Sequence, residues 1–107
     1  PFSNTQHGIA TIEILLPLLM DLVDSNIMDI NMAISKVTSS PASILGIDAG
    51  LIRKGSSADL CIIKVEDWVF DQTKILSSGK NNPFIGKKFS TRVDKTICSG
   101  KIVYENK

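Results

Sequence analysis

The chain is poor in the residues from which metal sites and disulfide frameworks are built. Its 107 residues include two Cys and a single His. The two thiols, Cys61 and Cys98, lie in separate apolar runs and in no Cys-x-x-Cys pair, which predicts small buried side chains in a reducing compartment. Because His7 is the only imidazole, this chain alone cannot build a His-rich metal site.

Blocks of like charge and long hydrophobic runs are also missing. Twelve Lys and Arg are interspersed with eleven Asp and Glu, for a formal net charge of +1, so the clustered cations of a nucleic-acid-binding surface are not expected. The longest unbroken apolar run, residues 14–20, is far shorter than the ~20 residues of a membrane span. No signal peptide is recognisable at the N-terminus. Because the chain begins at Pro1 without an initiator Met, we expect a processed product or a fragment.

Residues 9–24 form the strongest helical segment of the sequence. Glu13, Asp21 and Asp24 fall on one side of the helical wheel, and nearly all of the remaining circumference is apolar. A helix that is apolar over so much of its surface is expected to be buried against several neighbours. Pro17 lies in the middle and removes a backbone donor, which predicts a kink or a break near it.

Two shorter helices are predicted to follow. Asp29 is the expected N-cap of the first, and its inner face carries Ile30, Ala33, Ile34 and Val37. Ser40 is the expected cap of the second, with Pro41 at its first position and Gly46 as its stop. Two short helices and a few strands are not expected to cover all of the 9–24 helix. Either a missing part of a longer protein or a homo-oligomer would cover the rest.

Signals typical of β-structure dominate the second half of the chain. Residues 60–65 are a nearly continuous apolar run and predict a buried strand. Residues 74–86 are rich in Ser, Gly, Asn and Pro, which predicts a loop. Residues 92–98 and 101–104 flank Ser99-Gly100, the two-residue spacing of a tight hairpin. With the helical first half, this pattern predicts an α+β piece of a globular protein.

Few side chains are candidates for chemistry, and no pair of carboxylates stands out for acid–base work. His7 is a candidate metal ligand or general base, or simply a polar loop residue. Gly8 allows either a close approach of a ligand to a backbone N–H before a helix or merely a sharp entry into that helix. Glu13 either favours the helix dipole from the surface or pairs with a buried neighbour. Trp68 is expected to pack on the sheet, and Asn81-Asn82-Pro83 to form a turn.

Several short motifs follow one another in a fixed order over nearly the whole chain. They are Pro1-Phe2, Gly8-Ile9, Ile12-Glu13, Leu16-Pro17-Leu18, Ser40-Pro41-Ala42, Ala58-Asp59-Leu60, Asn82-Pro83-Phe84-Ile85-Gly86, Thr96-Ile97, Gly100-Lys101 and Val103-Tyr104-Glu105. This order resembles that of the C-terminal segment of cyclic amidohydrolases, and of dihydroorotases in particular. Each motif is unspecific by itself, so their shared order carries the resemblance.

The resemblance implies a TIM-like (β/α)8 barrel with an accessory β-sandwich assembled from both chain ends. The chain would then be an α+β fragment. Residues 1–50 would be the end of the barrel domain, with the last barrel helix and the short helices after it. Residues 51–107 would be the C-terminal part of the small β-sandwich. The 9–24 helix would pack on barrel strands outside this chain, and the strands at 60–65 and 92–98 would need partners from the same missing part.

The same resemblance implies the reversible cyclisation of N-carbamoyl-L-aspartate to dihydroorotate in cytoplasmic pyrimidine biosynthesis. In the family, zinc activates a water or hydroxide, an Asp shuttles the proton, and His residues, often with a carbamylated Lys, hold the metal. None of these groups maps onto this chain. No catalytic residue and no zinc ligand is therefore expected here, and the chain alone is expected to be inactive.

What does map is the loop before the helix, whose backbone amides contact the substrate carboxylate in the family. It corresponds to Gln6, His7 and Gly8, which are the predicted substrate-binding residues. The sequence departs from the family pattern here, because Gln6-His7 stands where Pro and Phe or Pro are common. Thr11 and Thr91 likewise replace common glycines. A backbone contact can survive such side-chain changes.

The partners implied are the N-terminal barrel portion of the same enzyme, a small-molecule substrate, and either a second copy or aspartate transcarbamoylase. Neither nucleic acid nor a membrane is among them. Two alternatives stay open: another cyclic amidohydrolase, such as an allantoinase or dihydropyrimidinase, and a non-catalytic dihydroorotase-like subunit that scaffolds aspartate transcarbamoylase. The Asn82-Pro83-Phe84 turn and the Ile12-Glu13 pair favour dihydroorotase.

Overall fold

The computed structural model describes residues 8–79 and 81–106. Helices occupy the first half and a sheet the second, as the sequence predicts. In chain order the elements are a 3₁₀ turn (Ile12–Ile14), α1 (Leu15–Asp24), α2 (Ile30–Ser35), α3 (Ser39–Leu45), β1 (Leu60–Val69), a second 3₁₀ turn (Gln72–Lys74), β2 (Lys88–Cys98) and β3 (Lys101–Glu105).

The helix predicted at residues 9–24 begins later and is not interrupted at its proline. α1 starts at Leu15, after the single 3₁₀ turn. Pro17 therefore lies in the first turn of α1, where backbone N–H groups have no intrahelical partner and the missing donor costs little. Pro17 and Met20 are buried, whereas Leu15 is 54% exposed. The described part of the chain thus covers only one side of the apolar circumference.

α2 has the predicted start but a less buried inner face. The Asp29 carboxylate accepts a hydrogen bond of 2.9 Å from the Asn31 backbone N–H, which confirms Asp29 as the N-cap. Ala33 is fully buried, but Ile30 is 47% exposed. Only part of the predicted face therefore packs within this chain.

α3 begins one residue before its predicted cap and ends where predicted. Its first residue is Ser39, so the assignment of Ser40 as cap and Pro41 as first residue was wrong. The Thr38 hydroxyl donates 2.7 Å to the carbonyl of Ile34 instead of capping α3. Gly46 ends the helix with a φ of +68°, the left-handed conformation that glycine adopts without strain.

The three strands form one antiparallel sheet in the order β1-β2-β3. β2 and β3 are joined by Ser99-Gly100, whose φ values of +49° and +80° confirm the predicted hairpin and fit a type I′ turn. Register shifts occur in the β1–β2 pair, between Ile62 and Ile63 and between Val65 and Trp68. Over residues 95–97, β2 is paired on both edges. That stretch therefore has no free edge for a strand from elsewhere, whereas residues 92 and 93 pair with β1 alone, and the expected partner for the rest of 92–98 stays a prediction.

The core lies between α1 and one end of the sheet, the end at which β1 stops and β2 begins. α1 contacts β2 across it. Its buried side chains are Ile14, Phe70, Ile75 and Phe89, with Leu18, Trp68 and Phe84 packed against them. The Trp68 ring meets Phe70 edge-on at 6.1 Å and Phe89 at 5.5 Å between centroids, and its Nε1 donates 2.8 Å to the Thr91 carbonyl. The prediction that Trp68 packs on the sheet is thereby confirmed.

The strand predicted at residues 60–65 forms, but its predicted burial was wrong. Val65 is 87% exposed and Ile62 is 42% exposed. Cys61 and Cys98 are also exposed, contrary to the expectation of buried thiols. The cause is that the core lies at the other end of the sheet, around Trp68, Phe70 and Phe89, and includes neither residues 60–65 nor Cys98.

Candidate functional site

Gly8 is the one predicted substrate-binding residue that the structure describes, since Gln6 and His7 lie outside the described residues. Its φ is +72°, and a side chain placed there would meet no atom within 4 Å. Glycine is therefore favoured at this position by its backbone conformation and not by lack of space. Gly8 itself is exposed.

The segment that leaves Gly8 is held by two asparagines from the loop after β1. The Asn81 side chain donates from Nδ2 to the Gly8 carbonyl. The backbone carbonyl of Asn81 accepts from the Ala10 N–H at 2.7 Å. Asn82 donates from Nδ2 to the Ala10 carbonyl at 2.7 Å. We call these two residues the asparagine clamp. It holds the segment at the Gly8 carbonyl and at both backbone polar groups of Ala10.

The sequence predicts only a turn at these asparagines, and the clamp was missed. The turn exists, because Asn82 Oδ1 accepts from the Phe84 N–H at 2.9 Å. Such a turn uses the acceptor oxygen of the side chain and leaves its NH₂ group without a role. For an Asn in a half-buried loop, that unused donor is a signal for a second partner, although it does not say which carbonyl accepts.

Glu13 joins the start of the helical segment to the same loop. Its Oε1 accepts from the backbone N–H groups of Leu76 at 3.0 Å and of Ser77 at 2.6 Å. Partial burial by itself raises the pKa of the Glu13 carboxyl, but the hydrogen bonds from Ser77 and Leu76 outweigh it and lower the pKa below 4.5. Of the two roles considered for this acid, pairing with a neighbour is the one that the structure confirms.

An open cavity of about 330 Å³ lies between the start of the helical segment and the sheet. Glu13, Trp68 and Arg92 line it, but Gly8 does not. The Arg92 guanidinium lies over the Trp68 ring at 4.9 Å, and it donates 2.8 Å to Asn106 Oδ1. These contacts hold Arg92 against its own sheet. The cavity is thus distinct from the Gly8 segment that carries the predicted site.

The donor set of the described residues does not fit a zinc ion. Among residues 8–79 and 81–106, no group of three His, Cys, Asp or Glu side chains lies close enough to hold a metal. Within the same residues, no helix has the length and apolar character needed to cross a membrane.

Sequence comparison identifies the family to which the chain belongs. Residues 4–103 match the amidohydrolase family, and the chain belongs to that family.

Its relatives include several dihydroorotases. Those of Geotalea daltonii and Anaplasma phagocytophilum are 36% and 42% identical over 105 residues, which are 97% of this chain and 25% and 24% of the relatives. A dihydroorotase of a Wolbachia species is 35% identical over 108 residues, covering 100% of this chain and 24% of the relative. The resemblance to dihydroorotases is thereby confirmed. The chain spans about a quarter of the length of these curated relatives.

Proposed function

We propose that this chain is the C-terminal segment of a zinc-dependent dihydroorotase, which interconverts N-carbamoyl-L-aspartate and dihydroorotate in cytoplasmic pyrimidine biosynthesis. The observation that carries the proposal is the match to named dihydroorotases over 97% of the chain, at up to 42% identity. A match of this extent includes both halves of the chain, the helical part and the sheet.

The architecture of the parent is part of the proposal. Residues 1–50 would complete a TIM-like barrel and residues 51–107 a small β-sandwich. Exposed apolar side chains support this arrangement. Leu15 on α1 is 54% exposed, and Val65 on β1 is 87% exposed. Such surface is costly to leave in water, and contact with the remaining three-quarters of a dihydroorotase would bury it.

The role of this chain would be to bind the substrate carboxylate through backbone N–H groups of Gln6, His7 and Gly8. Two observations support it. The Gly8 backbone is exposed and adopts a left-handed conformation, and the segment after it leads through one 3₁₀ turn into α1. Backbone amides before a helix recognise anions because their N–H groups and the helix dipole point the same way.

Zinc would be held by residues of the parent outside the part of the chain described here, because that part offers no suitable donor set. Bound zinc supplies an activated water to amidohydrolase chemistry. The contribution of this chain is confined to orienting the substrate. A precisely oriented substrate reacts faster because the entropy of alignment has been lost before the chemical step.

A hybrid enzyme tests the proposal directly. The matching segment of the Anaplasma phagocytophilum dihydroorotase would be replaced by this chain, and ring opening of dihydroorotate would be assayed. We expect turnover in the hybrid and none in the same enzyme with the segment deleted. The matched control places this chain in a dihydropyrimidinase, where we expect no turnover of that enzyme's substrate.

Two results would contradict the proposal. One is a hybrid that folds cooperatively and contains zinc yet does not act on dihydroorotate, which would favour a non-catalytic scaffold subunit. The other is an active hybrid with the dihydropyrimidinase and an inactive one with the dihydroorotase. That result would assign the chain to another cyclic amidohydrolase.

A further inference from the structure

The asparagine clamp joins two segments that are far apart in the chain. The hydrogen bonds from Asn81 to Gly8 and from Asn82 to Ala10 span 73 and 72 positions. The Ala10 N–H donates back to the Asn81 carbonyl at 2.7 Å. Three hydrogen bonds therefore connect the loop after β1 to Gly8, a proposed carboxylate-binding residue, and to Ala10, two positions further on.

Asn82 uses both ends of its amide. Its Nδ2 donates to the Ala10 carbonyl while its Oδ1 accepts from the Phe84 N–H. An Asp at this position would keep the acceptor and lose the donor. Asn82 is also 9% exposed, so little water is available to replace a lost partner.

Further contacts fix the clamp against the start of the helical segment. Glu13 accepts from Leu76 and Ser77 in the same loop. A side chain at Gly79 would lie 3.0 Å from the Ala10 Cβ, so the two backbones approach closely there. The loop and residues 8–13 thus form one hydrogen-bonded unit.

A clamp of this kind matters most beside a glycine. Glycine has more backbone freedom than any other residue type, and an unrestrained Gly8 would let its own N–H point in many directions. With the Gly8 carbonyl and both polar groups of Ala10 held, that freedom is lost before a ligand arrives. Binding sites that are ordered in advance lose less entropy on binding.

We propose, on the basis of the dihydroorotase function proposed above, that Asn81 and Asn82 are positioning residues for the substrate carboxylate. They touch neither substrate nor metal. They act by holding Gly8 and Ala10 in place, so that the backbone N–H of Gly8 is presented to the carboxylate in one orientation. The sheet region thereby orders the Gly8 backbone of the helical region.

The first test is hydrogen exchange on the full 107-residue chain. Asn82→Asp removes the donor to Ala10 but keeps the acceptor for Phe84, so the turn is preserved. We expect the Ala10 amide to exchange roughly tenfold faster or more, and by a larger factor than the amides of β2, which report any general loss of stability. Asn106→Asp is the matched control, since Asn106 uses its Oδ1 as acceptor from Arg92 and the substitution makes the same change of charge. Unchanged exchange at Ala10 in Asn82→Asp would overturn the clamp.

The second test measures kinetics in the hybrid enzyme. We expect Asn82→Asp to raise the KM for dihydroorotate about tenfold with a smaller change in kcat, because carboxylate binding is lost more than chemistry. Asn106→Asp should leave both constants unchanged. Faster exchange at Ala10 without a change in KM would overturn the positioning role. If the hybrid with unaltered Asn82 shows no turnover, the proposed function fails instead, and exchange at Ala10 still decides whether the clamp exists.

Discussion

The Glu13 carboxylate and the Ser77 backbone N–H are 64 positions apart in the sequence and are joined by a hydrogen bond of 2.6 Å. Leu76 donates to the same Oε1 at 3.0 Å. A carboxylate that accepts two backbone N–H groups is stabilised in its ionised form. This contact ties the first turn of the helical region to the loop that carries the asparagine clamp.

Replacement of Glu13 by Gln is expected to lower the free energy of unfolding at neutral pH. It should also remove the part of the pH dependence of that free energy that Glu13 contributes. The folded-state pKa of Glu13 lies below 4.5, so its contribution to the free energy of unfolding is complete above the unfolded-state pKa. It is lost as the pH falls from about 4.5 through the lower folded-state pKa. At pH 7 we expect a loss of about 1 kcal/mol in Glu13→Gln, since a hydrogen bond to a neutral acceptor is weaker. Urea unfolding at pH 7 and at pH 3 measures both effects.

Asp24→Asn is the control for this comparison, because Asp24 is an exposed acid whose Oδ2 accepts from a side-chain hydroxyl, that of Ser90. At pH 7 it should lower the free energy of unfolding by less than Glu13→Gln does, because its hydrogen bond is exposed to water. Equal stability differences between Glu13→Gln and the unaltered chain at both pH values would contradict the prediction.

Truncation of Phe70 is expected to remove most of the stability of the chain. Phe70 is fully buried in the core with Ile14 and Phe89, and Phe→Ala substitutions in cores cost about 3–5 kcal/mol. Val65→Ala, at a side chain that is 87% exposed, should change stability by less than about 0.5 kcal/mol. Urea unfolding followed by circular dichroism compares the two. A smaller loss in Phe70→Ala than in Val65→Ala would show that the core lies elsewhere.

The Ser99-Gly100 turn is expected to respond to substitution through its backbone alone. Gly100 has a φ of +80°, and a side chain there would meet nothing within 4 Å. Gly100→Ala should therefore cost about 1–2 kcal/mol from left-handed strain and none from steric contact. Ser99→Asn should be stabilising, because Asn tolerates positive φ better than Ser does. Thermal unfolding of both variants tests this, and a destabilised Ser99→Asn would argue against the type I′ geometry.

The isolated chain is expected to self-associate through its sheet. β1 and β3 are the edge strands of the sheet that the described residues form, and Val65 and Val103 are 87% and 63% exposed. Exposed apolar edges favour pairing between copies. Sedimentation velocity should show oligomers that Val65→Lys weakens. Ile44→Lys, at a side chain on α3 that is 85% exposed, is the control and should weaken them less. A monodisperse monomer at high concentration would contradict the prediction.

The chain by itself is expected to bind no stoichiometric zinc and to show no turnover of dihydroorotate. The physical reason is the lack of a three-residue donor set among residues 8–79 and 81–106. Equilibrium dialysis with zinc, followed by metal analysis, measures the first part. One equivalent of tightly bound zinc per chain would contradict it, and His7→Ala would then show whether the single His contributes.

The sequence by itself determined the features that short-range chemistry controls. Asp29 caps α2 because its carboxylate reaches an N–H two residues away, and Gly46 ends α3 because it adopts a positive φ without strain. The hairpin at Ser99-Gly100 follows from the same kind of local preference. The order of short motifs was also sufficient to indicate the amidohydrolase family. The cap, the helix end and the hairpin each lie within a few residues of the signal that predicts them, whereas the motif order extends over nearly the whole chain.

Only the tertiary structure decided which side chains meet across the chain and which faces are covered. Nothing near Asn81 or Asn82 in the sequence identifies Gly8 and Ala10 as their partners, because the hydrogen bonds span more than 70 positions. The exposure of residues 60–65 likewise depends on their distance from the core around Trp68, Phe70 and Phe89, which an apolar run cannot reveal. Hydrogen bonds and burial between distant segments depend on the whole fold, whereas caps and turns depend on neighbouring backbone.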